Sequence, residues 1–267
     1  MSLIQALVLG LFQGISEFLP ISSSGHLRLM RDLFGLSGVP RLFDVVLHLA
    51  TLLSVLLVFR RRVGGIMGAL YRRAFRRRDT SPSDPENLAL IAPALSATAV
   101  TAAVGLGMER WLAVDSPRTI SALFLVTAVL LLASSRFRGV RTYGRFGAVR
   151  GALIGLAQGI GVLPGISRSG ITISAGLAAG LDRGTAGEFS FLLAIPAILG
   201  AFLLELRNAA ELGREVGALP LAVGFTAAFA AGTAALLVLM PIVRRGKLSW
   251  FAVYLIPAGI TGLFLFR

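Results

Sequence analysis

The chain has 267 residues, 55% of them hydrophobic, and a mean hydropathy of +0.81, a balance that excludes an ordinary soluble domain and predicts an integral membrane protein. With no cysteine and two histidines, a disulfide framework, a thiolate nucleophile and a histidine-rich metal centre are excluded as well. The net charge of +13 is almost all arginine, and the arginines fall between apolar runs, where cytoplasmic loops carry them, so the expected partner is the lipid bilayer and not nucleic acid.

The N-terminus lacks a charged n-region and a small-residue cleavage site, so the first apolar stretch is expected to be kept. It predicts a helix from Ser2 to about Ser16, too short to span before Pro20 interrupts it, and a second short helix from about Ser22 to Phe34. Such Pro-broken apolar pairs mark a re-entrant hairpin, tolerated where protein buries it or it lines a cavity. A loop at 35–40 precedes a span from Phe43 to Phe59, ended by Arg60-Arg61-Arg62 and a basic loop running on through Tyr71-Arg-Arg-Ala-Phe-Arg-Arg-Arg78. Asp79 to Glu86 reads as a flexible turn. Spans follow at Leu88–Met108 and Arg118–Ser134, with Glu109 and Asp115 in the polar loop between them, and then a basic loop at 136–150.

From there the plan repeats. A short helix from Gly147 to Leu163 ends at Pro164-Gly165, Ser167 to Leu181 is its return partner, and spans follow at about Thr185–Leu206, Leu219–Leu239 and Leu248–Phe266. Leu9-Gly-Leu-Phe-Gln-Gly-Ile15 resembles Ile154-Gly-Leu-Ala-Gln-Gly-Ile160, and Ser22-Ser-Ser-Gly25 resembles Ser167-Arg-Ser-Gly170 at the same offset. The expected fold is therefore all-α, with six transmembrane helices and two re-entrant hairpins in one membrane domain. Repeat one covers about 1–135 and repeat two about 147–267. Three spans per repeat is an odd number, so the second copy enters the membrane inverted, which places a site near the midplane between the repeats. The basic loops at 60–78, 136–150 and 244–247 are assigned to the cytoplasm, and both termini to the outside. Trp111 and Trp250, at span ends, suit interfacial anchoring.

The two breaks hold the residues with chemistry. Gln13 and Glu17 are four apart, on one helix face, and an acid at membrane depth is a functional candidate before a packing partner for arginine. Ser22, Ser23 and Ser24 stand at a helix start, where a hydroxyl caps the helix or serves as nucleophile or oxyanion donor beside free N–H groups. His26, one turn on, is a candidate acid/base or nucleophile; His48, mid-span, either hydrogen-bonds within the bundle or lines the site. Arg168, between Ser167 and Ser169 and flanked by glycines, needs a carboxylate or phosphate partner, and its fork matches phosphate oxygens. Thr172 adds a hydroxyl one turn beyond. Asp44 and Glu188 begin corresponding spans and are read as gate or support residues, and Glu205 with the acids at 211–215 as solvated loop charges. Hydroxyls, one carboxylate, one imidazole and one arginine suit phosphoryl transfer or, equally, anion transport.

Gln13-x-x-x-Glu17 and Pro164-Gly-Ile-Ser-Arg-Ser-Gly-Ile-Thr172 resemble the (Glu/Gln)xxxGlu and PGxSRSxxT motifs of the bacterial undecaprenyl-diphosphatase, or bacitracin-resistance, family. The similarity runs along essentially the whole chain, including Glu188-Phe-Ser-Phe-Leu-Leu-Ala-Ile-Pro196. The resemblance implies hydrolysis of undecaprenyl diphosphate to the monophosphate and inorganic phosphate, recycling the lipid carrier of peptidoglycan synthesis and conferring bacitracin resistance, in the bacterial inner membrane with a site open to the periplasm. It implies a site of Glu17, Ser23, His26, Ser167, Arg168 and Thr172: catalytic roles for Glu17, Ser23, His26 and Arg168, with Ser23 or His26 as nucleophile, and substrate contacts from Ser167 and Thr172. The neighbouring Gln13, Ser22, Ser24 and Ser169 are read from their positions as further substrate contacts. Gln13 stands where many relatives carry Glu, which removes one carboxylate, though Glu17 with substrate oxygens still suits Mg²⁺ or Ca²⁺. A homodimer is compatible with these readings. The rival reading is a transporter of polyprenyl phosphate, since inverted repeats with broken helices are a transporter plan.

Overall fold

In the computed structural model the structure describes residues 1–34, 41–75, 81–112, 114–207 and 217–266; the loop expected at 35–40, the arginines at 76–78, the acids at 211–215 and Arg267 lie outside them. Every regular element among the described residues is helical: α1 (Leu3–Phe18), α2 (Ser23–Phe34), α3 (Arg41–Val58), α4 (Arg60–Phe75), α5 (Asp84–Ala89), α6 (Ile91–Trp111), α7 (Pro117–Ser134), a 3₁₀ turn at Tyr143–Arg145, α8 (Gly147–Ile160), α9 (Arg168–Ala178), α10 (Arg183–Arg207), α11 (Ala218–Arg244) and α12 (Trp250–Leu265).

Both breaks form for local reasons. Ser2 caps α1 in a capping box with Gln5, and α1 stops at Phe18 because Pro20 forces Leu19 out of the helical region, to ψ 138°. Ser22 then takes the left-handed conformation, φ 69°, a cost of about 1–2 kcal/mol for a residue with a Cβ. The second break turns at Gly165, φ 101°, and Ser167 restarts the chain as N-cap of α9, its hydroxyl accepting from the Gly170 N–H. The two breaks touch. Ser22 Oγ accepts from the Gly165 N–H at 3.0 Å, and Thr127 of α7 holds the same turn, donating to the Gly165 carbonyl at 2.9 Å and accepting from the Ser167 N–H at 3.1 Å.

Each hairpin is seated by glycine. In lipid the tails are as apolar as the side chains, so helices associate through close backbone approach. α1 lies along α11, where a Cβ at Gly10 or Gly14 would come within 2.4 Å of the Gly224 or Ala228 carbonyl oxygen. In the same way α8 lies along α6, where a Cβ at Gly151 or Gly155 would meet the Pro93 or Ala97 carbonyl at 2.3 Å. α7 packs on α12.

Two expectations are corrected. The basic stretch after the first span is helix α4, not a loop: the axis turns by 75° at Phe59, because α3 is apolar while arginine, a good helix former, cannot continue into lipid. Likewise position 205 falls inside α10 and not in a loop. As for the six spans expected, four helices are long and apolar enough to cross a membrane, or five with the bent pair α3–α4. α12, of 16 residues, reaches about 24 Å against a hydrocarbon core of about 30 Å. The chain is a multi-pass membrane protein.

One end of the bundle gathers the basic segments. Arg62 pairs with Glu86 at 3.1 Å and Glu188 at 2.8 Å, and its guanidinium lies over the Tyr143 ring. Tyr143 donates to Glu188 at 3.1 Å; burial and that carboxylate push the phenol well above its usual range, so it remains a donor. Arg138, Arg183 and Arg244 line an open cavity at the same end. The opposite end carries the Arg31–Asp44 and Arg28–Asp115 pairs. Glu188 is thus held by Arg62 and Tyr143 at the basic end, and Asp44 by Arg31 at the other.

Candidate active site

Where the two breaks meet, a cavity of about 260 Å³ is lined by Ser16, Glu17, Ser22, Ser23 and Ser24 from the first break, by Gly161, Val162, Ile166, Ser167 and Arg168 from the second, and by His48 and Ala201 from α3 and α10. The N-termini of α2 and α9 both open onto it. The first-turn N–H groups of a helix lack intrahelical acceptors and carry the positive end of its dipole, so two such ends converging favour an anion.

Glu17 is the hub. Its side chain is 2% exposed, so its charge has to be met by protein groups. Arg168 forms an ion pair with Oε1. On Oε2, the Ser23 hydroxyl donates at 2.7 Å and Gln13 Nε2 at 3.1 Å, while His48 Nε2 lies 3.9 Å away. The carboxylate therefore links the phosphate-matching guanidinium of one hairpin to a hydroxyl of the other. A serine donating to a carboxylate at 2.7 Å has its proton acceptor already in place.

His48 is held by its backbone. Its Nδ1 lies 2.8 Å from the Asp44 carbonyl, which only accepts, so Nδ1 donates to it and Nε2 is the nitrogen turned toward Glu17 and the cavity. His48 and Ala201 also line a neighbouring cavity of about 360 Å³ with Arg31, Asp44, Val45, Ile198 and Phe202, so the imidazole stands between the two spaces.

Several candidates lie off the cavity. His26 is buried beneath the serines: Nδ1 donates to the Ser22 carbonyl at 2.9 Å, Nε2 lies 2.8 Å from the Tyr254 hydroxyl, and the ring stacks on Phe124 at 4.4 Å. With both nitrogens engaged and the ring enclosed, it braces the Ser22 turn, so the structure does not bring it to the position expected of a nucleophile. Thr172 donates to the Arg168 carbonyl at 2.8 Å and lies 2.5 Å from the Ser190 hydroxyl, facing α10. Ser169 sits behind Arg168 in a small void with Ser190 and Phe191, and Gln13 lies behind Glu17, fully buried. These three support the wall without lining it. Ser22 and Ser167 line the cavity, but their hydroxyls are taken up by Gly165 N–H and Gly170 N–H, which leaves Ser23 and the exposed Ser24 as the available hydroxyls.

A resident divalent ion fits this donor set poorly. Among the described residues Glu17 is the one carboxylate on the cavity, and both its oxygens are engaged. Among the described residues no three of His, Cys, Asp and Glu cluster to hold a metal.

Comparison with known proteins decides the family. The chain matches the family model of the bacitracin resistance protein BacA over residues 6–261. It belongs to that family. Similar relatives include the undecaprenyl-diphosphatases of Treponema denticola, 47% identical over 97% of this chain and 96% of the relative; Desulfosudis oleivorans, 44% identical over 97% of each; and Carboxydothermus hydrogenoformans, 38% identical over 99% and 98%. The family expected from the two motifs is the family found. His48, expected either to hydrogen-bond within the bundle or to line the site, does both.

Proposed function

We propose that this chain is an undecaprenyl-diphosphate phosphatase, releasing inorganic phosphate and leaving undecaprenyl phosphate for peptidoglycan synthesis, with bacitracin resistance as the consequence. The observation that carries it is the single carboxylate, Glu17, holding Arg168 on one oxygen and the Ser23 hydroxyl on the other at two converging helix N-termini. The diphosphate enters with its terminal phosphate on Arg168 and the free N–H groups of α2 and α9. Ser23 Oγ attacks the terminal phosphorus as its proton passes to Glu17 Oε2. The anhydride P–O bond breaks and undecaprenyl phosphate leaves. Water then attacks the phosphoserine, and Ser23 Oγ leaves with the proton that Glu17 held. Positioning and charge neutralisation supply most of the rate, as phosphoryl transfer requires. A divalent ion, if used, arrives on the diphosphate, and no step here depends on it.

The site is read as the meeting of two inverted repeats. At the offset of the sequence repeat, Ser16 corresponds to Gly161, Glu17 to Val162, Ser22 to Ser167 and Ser23 to Arg168, and all eight line the cavity. The pairing of α1 with α11 and α8 with α6 agrees. On this reading α3, α6, α7, α10, α11 and α12 make the six crossings, α12 by local thinning of the bilayer. The basic end faces the cytoplasm of a bacterial inner membrane, and the 360 Å³ cavity opens to the periplasm.

Phosphate release from a polyprenyl diphosphate by the detergent-solubilised chain tests the function. Wild type is expected to release phosphate at least about 10³-fold faster than Arg168→Ala. Equal rates would refute it, and lipid translocation in liposomes without release would establish the transporter reading instead. A reporter fused after Arg267 reading inside the cytoplasm would overturn the orientation.

A further inference from the structure

The reaction needs a second proton acceptor. Glu17 takes the Ser23 proton in the first step and returns it to Ser23 Oγ in the second, so it is occupied when water attacks the phosphoserine. Gln13, beside it at 3.1 Å, is an amide and cannot take a proton. His26 has both nitrogens engaged away from the cavity.

We propose that His48 is the base that activates this water: Nε2 accepts one water proton as the water oxygen bonds to phosphorus, and the imidazolium then releases that proton into the 360 Å³ cavity. The inference rests on the phosphoserine route proposed above. Three observations carry it. The Asp44 carbonyl accepts from Nδ1, leaving Nε2 as the nitrogen on the cavity side, 3.9 Å from Glu17 Oε2. The side chain is 40% exposed against 2% for Glu17, so of the two it is the more open. It lines both spaces, and so borders the reacting centre and the exit. Among the described side chains, Glu17 from α1 faces it from the site, with Arg168 from α9 on the far oxygen of Glu17; Arg31 from α2 and Asp44 from α3 pair with each other in the outer cavity; α10 contributes Ile198, Ala201 and Phe202.

The test is a rapid-quench single turnover with polyprenyl diphosphate labelled in the terminal phosphate, using the full chain in detergent, for wild type and His48→Gln. Glutamine keeps a donor for the Asp44 carbonyl but does not titrate. His48→Gln is expected to become labelled at close to the wild-type rate, approaching one phosphate per chain, and to release phosphate about 10²-fold more slowly, the lower end of what a general base contributes. KM is expected to fall with kcat, because the phosphoenzyme accumulates; the fall of wild-type kcat toward low pH should be absent, and added imidazole should restore release in His48→Ala. Wild type that releases phosphate alongside a His48→Gln enzyme of equal rate and equal pH profile overturns the inference and leaves the phosphatase standing. A folded His48→Gln enzyme that has lost labelling and release alike also overturns it, because His48 would then position Glu17. Wild type releasing no phosphate refutes the function itself.

Discussion

Glu17→Gln isolates the chemistry of the hub carboxylate with the least change of shape. The amide keeps an oxygen for Arg168 and a contact for Ser23, but it no longer accepts the Ser23 proton. A general base contributes about 10²–10⁴-fold, so at about 1.4 kcal/mol per decade kcat should fall by an amount equivalent to about 3–5 kcal/mol. Binding should move the other way. Arg168 loses its intramolecular counter-ion, and the phosphate of the substrate takes that place, so KM is expected to be unchanged or lower. The folded state should lose about 1–3 kcal/mol, the scale of a charged hydrogen bond, because the Arg168 side chain, 26% exposed, retains access to water. Initial rates of phosphate release over a range of polyprenyl diphosphate concentrations separate kcat from KM, and a thermal melt in the same detergent reports the fold. A variant with kcat within about threefold of wild type, or one with raised KM and unchanged kcat, would refute the assignment of Glu17 as the base for Ser23 and make it a binding group.

Ser23→Ala should lower kcat by at least about 10³-fold and abolish any acid-stable label on the protein, whereas Ser24→Ala, exposed and without a bond to Glu17, should stay within about tenfold; phosphate release compares the two. At Ser22, alanine keeps the left-handed strain and leaves the buried Gly165 N–H unsatisfied, at about 1–3 kcal/mol, while glycine relieves about 1–2 kcal/mol of that strain. Ser22→Gly should therefore melt above Ser22→Ala. Gly14→Val should destabilise strongly, since a Cβ there would lie 2.4 Å from the Ala228 carbonyl and 2.7 Å from the Gly232 nitrogen on α11, whereas Gly64→Ala meets nothing within 4 Å and should melt like wild type.

The breaks were legible because they violate the local pattern. An acid, a proline and three hydroxyls inside an apolar run have few structural reasons to be there, and the same holds for Ser-Arg-Ser after Pro164-Gly165. Helix α4 was not legible as a helix. A run of arginines states where a segment cannot go, out of lipid, but not its conformation, and arginine is a good helix former. The choice between imidazoles was hidden for a similar reason. Glu17 and His26 lie nine positions apart across a break, so whether they face one space depends on the φ of 69° at Ser22 and on where α2 restarts. With the restart at Ser23, position 26 turns toward Phe124 and Tyr254. No propensity scale assigns a left-handed φ to a serine.

On the proposed reading as two inverted repeats, that division of labour has a physical reason. Ser23 and Arg168 are each the first helical residue after a break, at corresponding positions of the two halves, and each side chain leaves a helix start aimed at the shared cavity. Two equal copies would have placed two arginines or two serines there. Two arginines would repel at close quarters without a nucleophile, and two serines would leave the phosphate charge with only backbone donors. The halves differ where it matters: one supplies the hydroxyl and its carboxylate, Ser23 with Glu17, and the other the guanidinium, Arg168, with apolar Val162 where a second acid would have faced the first. A second carboxylate at 162 would compete with the incoming phosphate for Arg168, so Val162→Glu should raise KM more than it lowers kcat, by about tenfold or more in phosphate-release assays. A Val162→Glu enzyme with unchanged KM would mean that Arg168 does not hold the substrate, and the site would then need another cation.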